Sequence, residues 1–146
     1  MLALALLILR LALGLSFVGH GAQKLFGWFG GAGFAATAAN YGDRMEMRPG
    51  WLFAALGGGG ELGGGLLVAL GLLTPLGALL IIGSMLVAIW KVTGARGYWI
   101  GKGGWEYNGL IIVVCITLIL AGPGAYSLDA ALGLTRVLSG ILPAGL

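Results

Sequence analysis

The run Trp51-Leu-Phe-Ala-Ala-Leu-Gly57-Gly-Gly-Gly60-Glu61-Leu-Gly63-Gly-Gly65-Leu-Leu-Val-Ala-Leu70-Gly-Leu-Leu73 decides the fold. It is apolar throughout except for one ionisable side chain, Glu61. As a helix it is about 34 Å long, enough to cross a hydrocarbon core of roughly 30 Å. Glu61 then sits near mid-depth, where a charge costs on the order of 2.5–3.5 kcal/mol on insertion scales. Such a group has to face protein or water. Small residues one helical turn apart let a neighbouring helix come close. Two readings of Glu61 stay open: a protonated side chain in tight packing, or a carboxylate with a dedicated partner.

The rest of the chain agrees with a membrane environment. Of its 146 residues, 59% are hydrophobic and only 9% charged, which places it among integral membrane proteins. One domain over residues 1–146 is expected. The net charge of +3 comes from few groups, so basic residues near the membrane surface report topology and anionic lipid rather than nucleic acid. The lone Cys115 excludes an intrachain disulfide and a Cys-x-x-Cys redox pair. Residues 1–9 lack a basic leader, and Arg10 splits the first apolar segment, so this segment is read as a retained span.

Working outward from 51–73, the apolar runs predict further spans at about 2–24, 76–92 and 106–121. The expected fold is an all-α membrane protein, a four-helix transmembrane bundle with short interfacial helices. The interfacial helices are expected at 34–41 and, capped by Ser127, at 128–142 as an amphipathic C-terminal helix. On the first span, Arg10, Phe17, His20 and Lys24 fall within roughly 80° of one another, a face expected to look into the bundle.

Four spans put both termini and the Thr74-Pro75 turn at one end, and the loops at 25–50 and 93–105 at the other. Lys24, Arg44, Arg48, Lys91, Arg96 and Lys102 belong to the loop end, against Arg136 at the terminal end. The positive-inside rule then places the loops in the cytoplasm. Trp28, Trp51, Trp90, Trp99 and Trp105 also fall at the loop end, which points to a functional mouth there, although an aromatic belt explains them as well.

Two site expectations follow from helical rise. Counted from the terminal end, Arg10 lies roughly 13 Å deep and Glu61 roughly 18 Å, a difference arginine can span, so a buried Arg10–Glu61 ion pair is expected. His20, Lys24, Lys91 and Glu106 share one layer near the loop-end interface and come from three spans. They are the expected ligand-binding groups of a mouth walled by Phe26, Trp90 and Trp105. The competing reading is an interfacial salt-bridge cluster with snorkelling lysines. Nothing in the spacing of His20, Glu61 and Glu106 demands a metal, and no metal site is assigned.

Arg10, Gly19-His20-Gly21, Lys24-Leu-Phe26-Gly27 and Gly30-Gly31 together resemble the opening of the DoxX family of small four-span membrane proteins. Glu61 with its following glycines, Gly71-Leu-Leu-Thr74, Met85, Glu106 and Gly122-Pro-Gly124-Ala-Tyr126-Ser-Leu-Asp129 extend the resemblance over nearly the whole chain. It implies a membrane four-helix bundle in a bacterial-type inner membrane. It also implies a link to quinol oxidase and thiosulfate:quinone oxidoreductase subunits, and to complexes with soluble redox enzymes. Many members have no established activity, so fold transfers better than function.

The residues themselves exclude a bis-histidine haem within one chain, because His20 is the sole histidine; a haem shared between subunits stays open. No flavin or nicotinamide fingerprint is present. Two function classes survive. One is the quinone-facing membrane subunit of an oxidoreductase. The other is a non-catalytic lipid-binding or scaffold protein that docks a soluble redox partner. A small transporter, built as a homo-oligomer, is a weaker third.

Overall fold

A computed structural model describes residues 1–134. Among them every regular element is helical. The order is α1 (Leu2–Phe26), α2 (Gly33–Ala39), α3 (Gly50–Leu70), α4 (Thr74–Ala88), α5 (Glu106–Ala121) and the short α6 (Leu128–Ala131). π-Helical turns extend α2 through Asn40–Arg44 and α4 through Ile89–Thr93. The helix expected at 128–142 is broken early: Leu128–Ala131 is helical, Leu132 caps it and Gly133 stands at φ 71°, while residues 135–146, with Arg136, lie outside the described residues.

Three helical segments are long and apolar enough to cross a membrane. They are Leu2–Phe26, Gly50–Leu70 and Thr74–Arg96, with mean hydropathies of 2.3, 1.4 and 2.0. Glu106–Ala121 is equally apolar but has 16 residues. The outer faces carry Ile8, Leu15, Leu56, Leu79, Leu86, Val113 and Leu120 exposed, a surface that suits lipid and not water.

Glycine sets how closely α1 and α3 lie. A Cβ on Gly14 would meet Ala69 N and Gly65 O at 2.6 Å, and one on Gly21 would meet Leu62 N at 2.5 Å and Gly58 O at 2.7 Å. Gly14 therefore lies against Gly65 and Gly21 against Gly58, with the same seven-residue step on both strands of an antiparallel pair. Backbone touches backbone, and side chains are displaced to the flanks. Gly64 and Gly77 bring α3 and α4 together in the same way, each Cβ meeting the other's carbonyl oxygen at 2.9 Å.

The main core lies where α1, α3, α4 and α5 meet, around Phe17, Val68, Ile81, Met85, Cys115 and Leu118. A second cluster of Tyr41, Met47 and Ala54 folds the α2–α3 connection over the loop end of α3 and α4.

At the terminal end a polar knot ties the α3–α4 turn. Arg10 is 1% exposed, and its Nη1 donates to Val68 O (3.4 Å) and Ala69 O (3.2 Å), the last carbonyls of α3. Its Nη2 donates to Tyr126 O. Asp129, fully buried, accepts from Leu73 N (2.8 Å), Thr74 N (3.2 Å) and Thr74 Oγ1 (3.3 Å), the first donors of α4. A cation at a helix C-terminus and an anion at a helix N-terminus both oppose the local dipole. Leu73, whose N–H Asp129 accepts, stands in the left-handed region at φ 45°. Ser127 accepts from Ala130 N as the expected cap.

Candidate functional site

The expected Arg10–Glu61 pair is not formed. Glu61 is paired instead with Lys24, whose Nζ lies 2.5 Å from Oε1. The glycine register explains the exchange. With Gly14 against Gly65 and Gly21 against Gly58, Glu61 is level with the residues around Val18, and Arg10 is level with Ala69. Side chains on a helix incline toward its N-terminus. Arg10 therefore leans toward the terminal end, away from Glu61. Lys24 leans back from the loop end, and Glu61, on an antiparallel helix, leans forward to meet it.

The second donor to Glu61 Oε1 is Ser84 Oγ, also at 2.5 Å. The serine comes from α4, so one carboxylate oxygen joins α1, α3 and α4. Glu61 Oε2 is buried and has no protein partner. Lys24 keeps 32% of its side-chain surface and the carboxylate 4%, so the cation is the end of the group that reaches outward. Thr37 on α2 donates to Lys24 O at 3.2 Å and fixes the end of α1 above the pair.

A groove of about 370 Å³ runs along α3 and α4 beside this cluster. Its floor and walls are Gly57, Gly60, Leu80, Gly83, Ser84 and Val87, with Tyr41, Met47 and Phe53 at its loop end and Leu56 and Leu79 on its rim. The lining is almost entirely apolar. The side-chain polar groups on it are the hydroxyls of Ser84 and Tyr41. Gly60 and Gly83 have open space where a Cβ would stand, and a Cβ on Gly57 would collide with the Tyr41 hydroxyl. Leu56 and Leu79 are both more than half exposed, so the groove opens sideways on the lipid-facing surface.

Of the expected mouth residues, only Lys24 belongs to this cluster. His20 is exposed and touches Phe17 edge-on at 5.9 Å. It sits about 100° round the helix from Gly21, which centres the buried stripe, and so leaves the face shared by Arg10, Phe17 and Lys24. Lys91 Nζ lies 4.1 Å from the Trp90 ring centroid. Glu106 Oε2 accepts from Ile100 N at 2.9 Å and braces the loop before α5. Among the described residues no hydrogen bond or salt bridge joins any two of His20, Lys24, Lys91 and Glu106. Trp105 packs on Tyr98 within that loop, with ring centroids 4.9 Å apart. Phe26 stacks on Trp28 at 5.2 Å.

Three groups escaped the sequence reading. Ser84 looked like an ordinary helical serine; its signal is that it shares the bundle's mid-depth with Glu61. Asp129 stands in the sequence only as the last residue of the Gly122–Asp129 stretch that carries the family resemblance. Asn108 is buried between α4 and α5, with Nδ2 donating to Met85 Sδ (3.4 Å) and Oδ1 accepting from Thr93 (3.2 Å). A lone amide in an apolar run was the clue to it. Among the described residues no three His, Cys, Asp or Glu side chains gather as metal ligands.

Comparison with known proteins gives one match. The family model described as DoxX covers residues 5–94, which takes in α1 to α4 with Lys24, Glu61 and Ser84. No curated protein and no solved structure matches the chain.

Proposed function

The chain belongs to the DoxX family, and from that premise we propose that this integral membrane protein is the membrane subunit of a redox system. In this reading it takes a quinone or quinol from the bilayer and works with a partner oxidoreductase. The observation that carries the reading is the groove. It is apolar, opens toward lipid past Leu56 and Leu79, and holds two hydroxyls, with an ionised pair directly behind one of them. Ligand sites are mostly apolar with a few placed polar groups, and about 370 Å³ lies within the usual range of such pockets. That volume suits a ring head group and the first part of an isoprenoid tail. We place α5 as the fourth span, shorter than the others and accommodated by local thinning of the bilayer. The loops face the cytoplasm of a bacterial-type inner membrane, where Arg44, Arg48, Lys91, Arg96 and Lys102 form the surface for a soluble partner.

A second reading is supported by those same loop-end cations together with exposed Trp90 and Trp99. They suit a non-catalytic scaffold that docks a redox enzyme and lets lipid fill the groove. Titration of detergent-purified protein with a short-tailed benzoquinone separates the two. Saturable binding is expected, weakened at least about tenfold by Gly60→Leu or Gly83→Leu, whose side chains occupy the open space, with the melting temperature held. Non-saturable uptake, equal in all three proteins, leaves the scaffold.

A further inference from the structure

We propose that the groove selects the reduced, hydroxyl-bearing form of its ligand over the oxidised carbonyl form, and that Ser84 makes the choice. The inference rests on the groove being a quinone or quinol site. Its physical basis is the direction of one hydrogen bond.

A serine hydroxyl has one proton and two lone pairs. Ionised Glu61 can only accept, so at 2.5 Å the proton belongs to the bond from Ser84 Oγ to Glu61 Oε1. Lys24 Nζ donates to the same oxygen, so both of its close partners are donors. What Ser84 then offers the groove is its lone pairs. A ligand hydroxyl can donate to them. A ligand carbonyl meets an acceptor and gains nothing unless the serine abandons a charge-assisted bond.

Two other serines or threonines on the spans show the alternative. Ser16 donates to Ala12 O at 2.7 Å and Thr117 to Val113 O at 2.9 Å, the back-bond to the preceding turn that helical hydroxyls make in apolar surroundings. Ser84 forgoes that bond and turns its proton across the helix interface. Glu61 itself does not line the groove, so among the lining side chains Ser84 and Tyr41 carry the hydroxyls a ligand can meet. Tyr41, the other hydroxyl on the lining, both donates and accepts, so it helps either form and discriminates against neither.

The test is calorimetric titration of the purified protein in detergent with a decyl-substituted benzoquinone and, under argon, with its quinol. Gly60→Leu protein supplies the baseline for micelle partition. Wild type should bind the quinol about tenfold more tightly, the worth of one hydrogen bond. In Ser84→Ala the two forms should bind alike, and Ser84→Thr should restore the preference. Equal affinities in wild type overturn the selection and leave the groove a ligand site. A preference that survives in Ser84→Ala also overturns it, by placing the acceptor elsewhere. Failure of both forms to bind saturably overturns the selection and the ligand reading together.

Discussion

Lys24 and Glu61 form a pair that is dry at one end and wet at the other. Removing either partner strands a charge inside the bundle, whereas removing both leaves only a packing defect. Glu61→Gln and Lys24→Met should each lower stability by about 2–4 kcal/mol, and the double variant by less than the two combined, measured by thermal unfolding in detergent. Arg10 behaves differently, because its partners are carbonyls. Arg10→Met leaves Ala69 O and Tyr126 O without their arginine donor, while Val68 O keeps Gly71 N, and should cost about 3 kcal/mol on the same assay. Asp129→Asn keeps one acceptor for the α4 terminus and should cost only about 1 kcal/mol. That Arg10 and Glu61 are buried and need partners was readable from their place in apolar runs. Which partner each takes was not. Depth counted along separate helices ignores the tilt of side chains, and that tilt turns Arg10 and Glu61 away from each other. Ser84 was unreadable for a related reason. Its role depends on the α3–α4 register, which Gly64 and Gly77 set through space.

At the level of helices, the glycines divide into two classes that composition alone does not distinguish. Gly14, Gly21, Gly58 and Gly65 form the α1–α3 seam; Gly59 and Gly63, on the same helix as the latter two, have nothing within reach of a Cβ. Gly21→Ala and Gly65→Ala should force the helices apart and cost about 2 kcal/mol or more. Gly59→Ala and Gly63→Ala should raise stability by about 0.5–1 kcal/mol each through helix propensity. Opposite signs from chemically identical substitutions, read as melting temperatures, test the seam directly. The helices themselves were legible in the sequence. Apolar run length gave α1, α3, α4 and α5 to within a few residues, with the ends marked by Gly27, Gly71 and Gly122 at positive φ. The π-helical extensions at Asn40–Arg44 and Ile89–Thr93 were not legible, since no residue pattern announces them.

For the whole molecule, the exposed leucines and the one-ended tryptophans describe a body held in lipid with its loops at one interface. The orientation is open to direct measurement. In a Cys115→Ala background, Ala125→Cys should react with an impermeant maleimide in intact cells and Lys102→Cys only after permeabilisation, and the reverse would invert the topology. The groove was not legible in the sequence, because its walls come from the packing of α3 on α4. The expected ligand groups were His20, Lys24, Lys91 and Glu106 at the loop-end mouth; none of the four lines the groove, and Lys24 reaches it only through Glu61 and Ser84. The groove lies lower, on the flank of α3 and α4. The mouth residues belong to different local jobs: Glu106 braces its own loop, Lys91 lies on Trp90, and His20 turns outward because glycine, not charge, chooses the buried face of α1.

The knot at the α3–α4 turn also fixes an order of events during synthesis. Arg10 is made before α3, whereas the carbonyl of Tyr126 and the carboxylate of Asp129 follow α5 and leave the ribosome later than every helix they tie. Until they arrive, the arginine has only the end of α3 to hold, and the hairpin of α3 and α4 has no anion at its bend. The first helix and the segment after α5 therefore close like a clasp, and the protein passes from a loose assembly of inserted helices to a finished one once Asp129 has emerged from the ribosome. Chains truncated after Pro123 and released should still insert yet be cut readily by protease at the α3–α4 turn, where the chain that carries Tyr126 and Asp129 should resist.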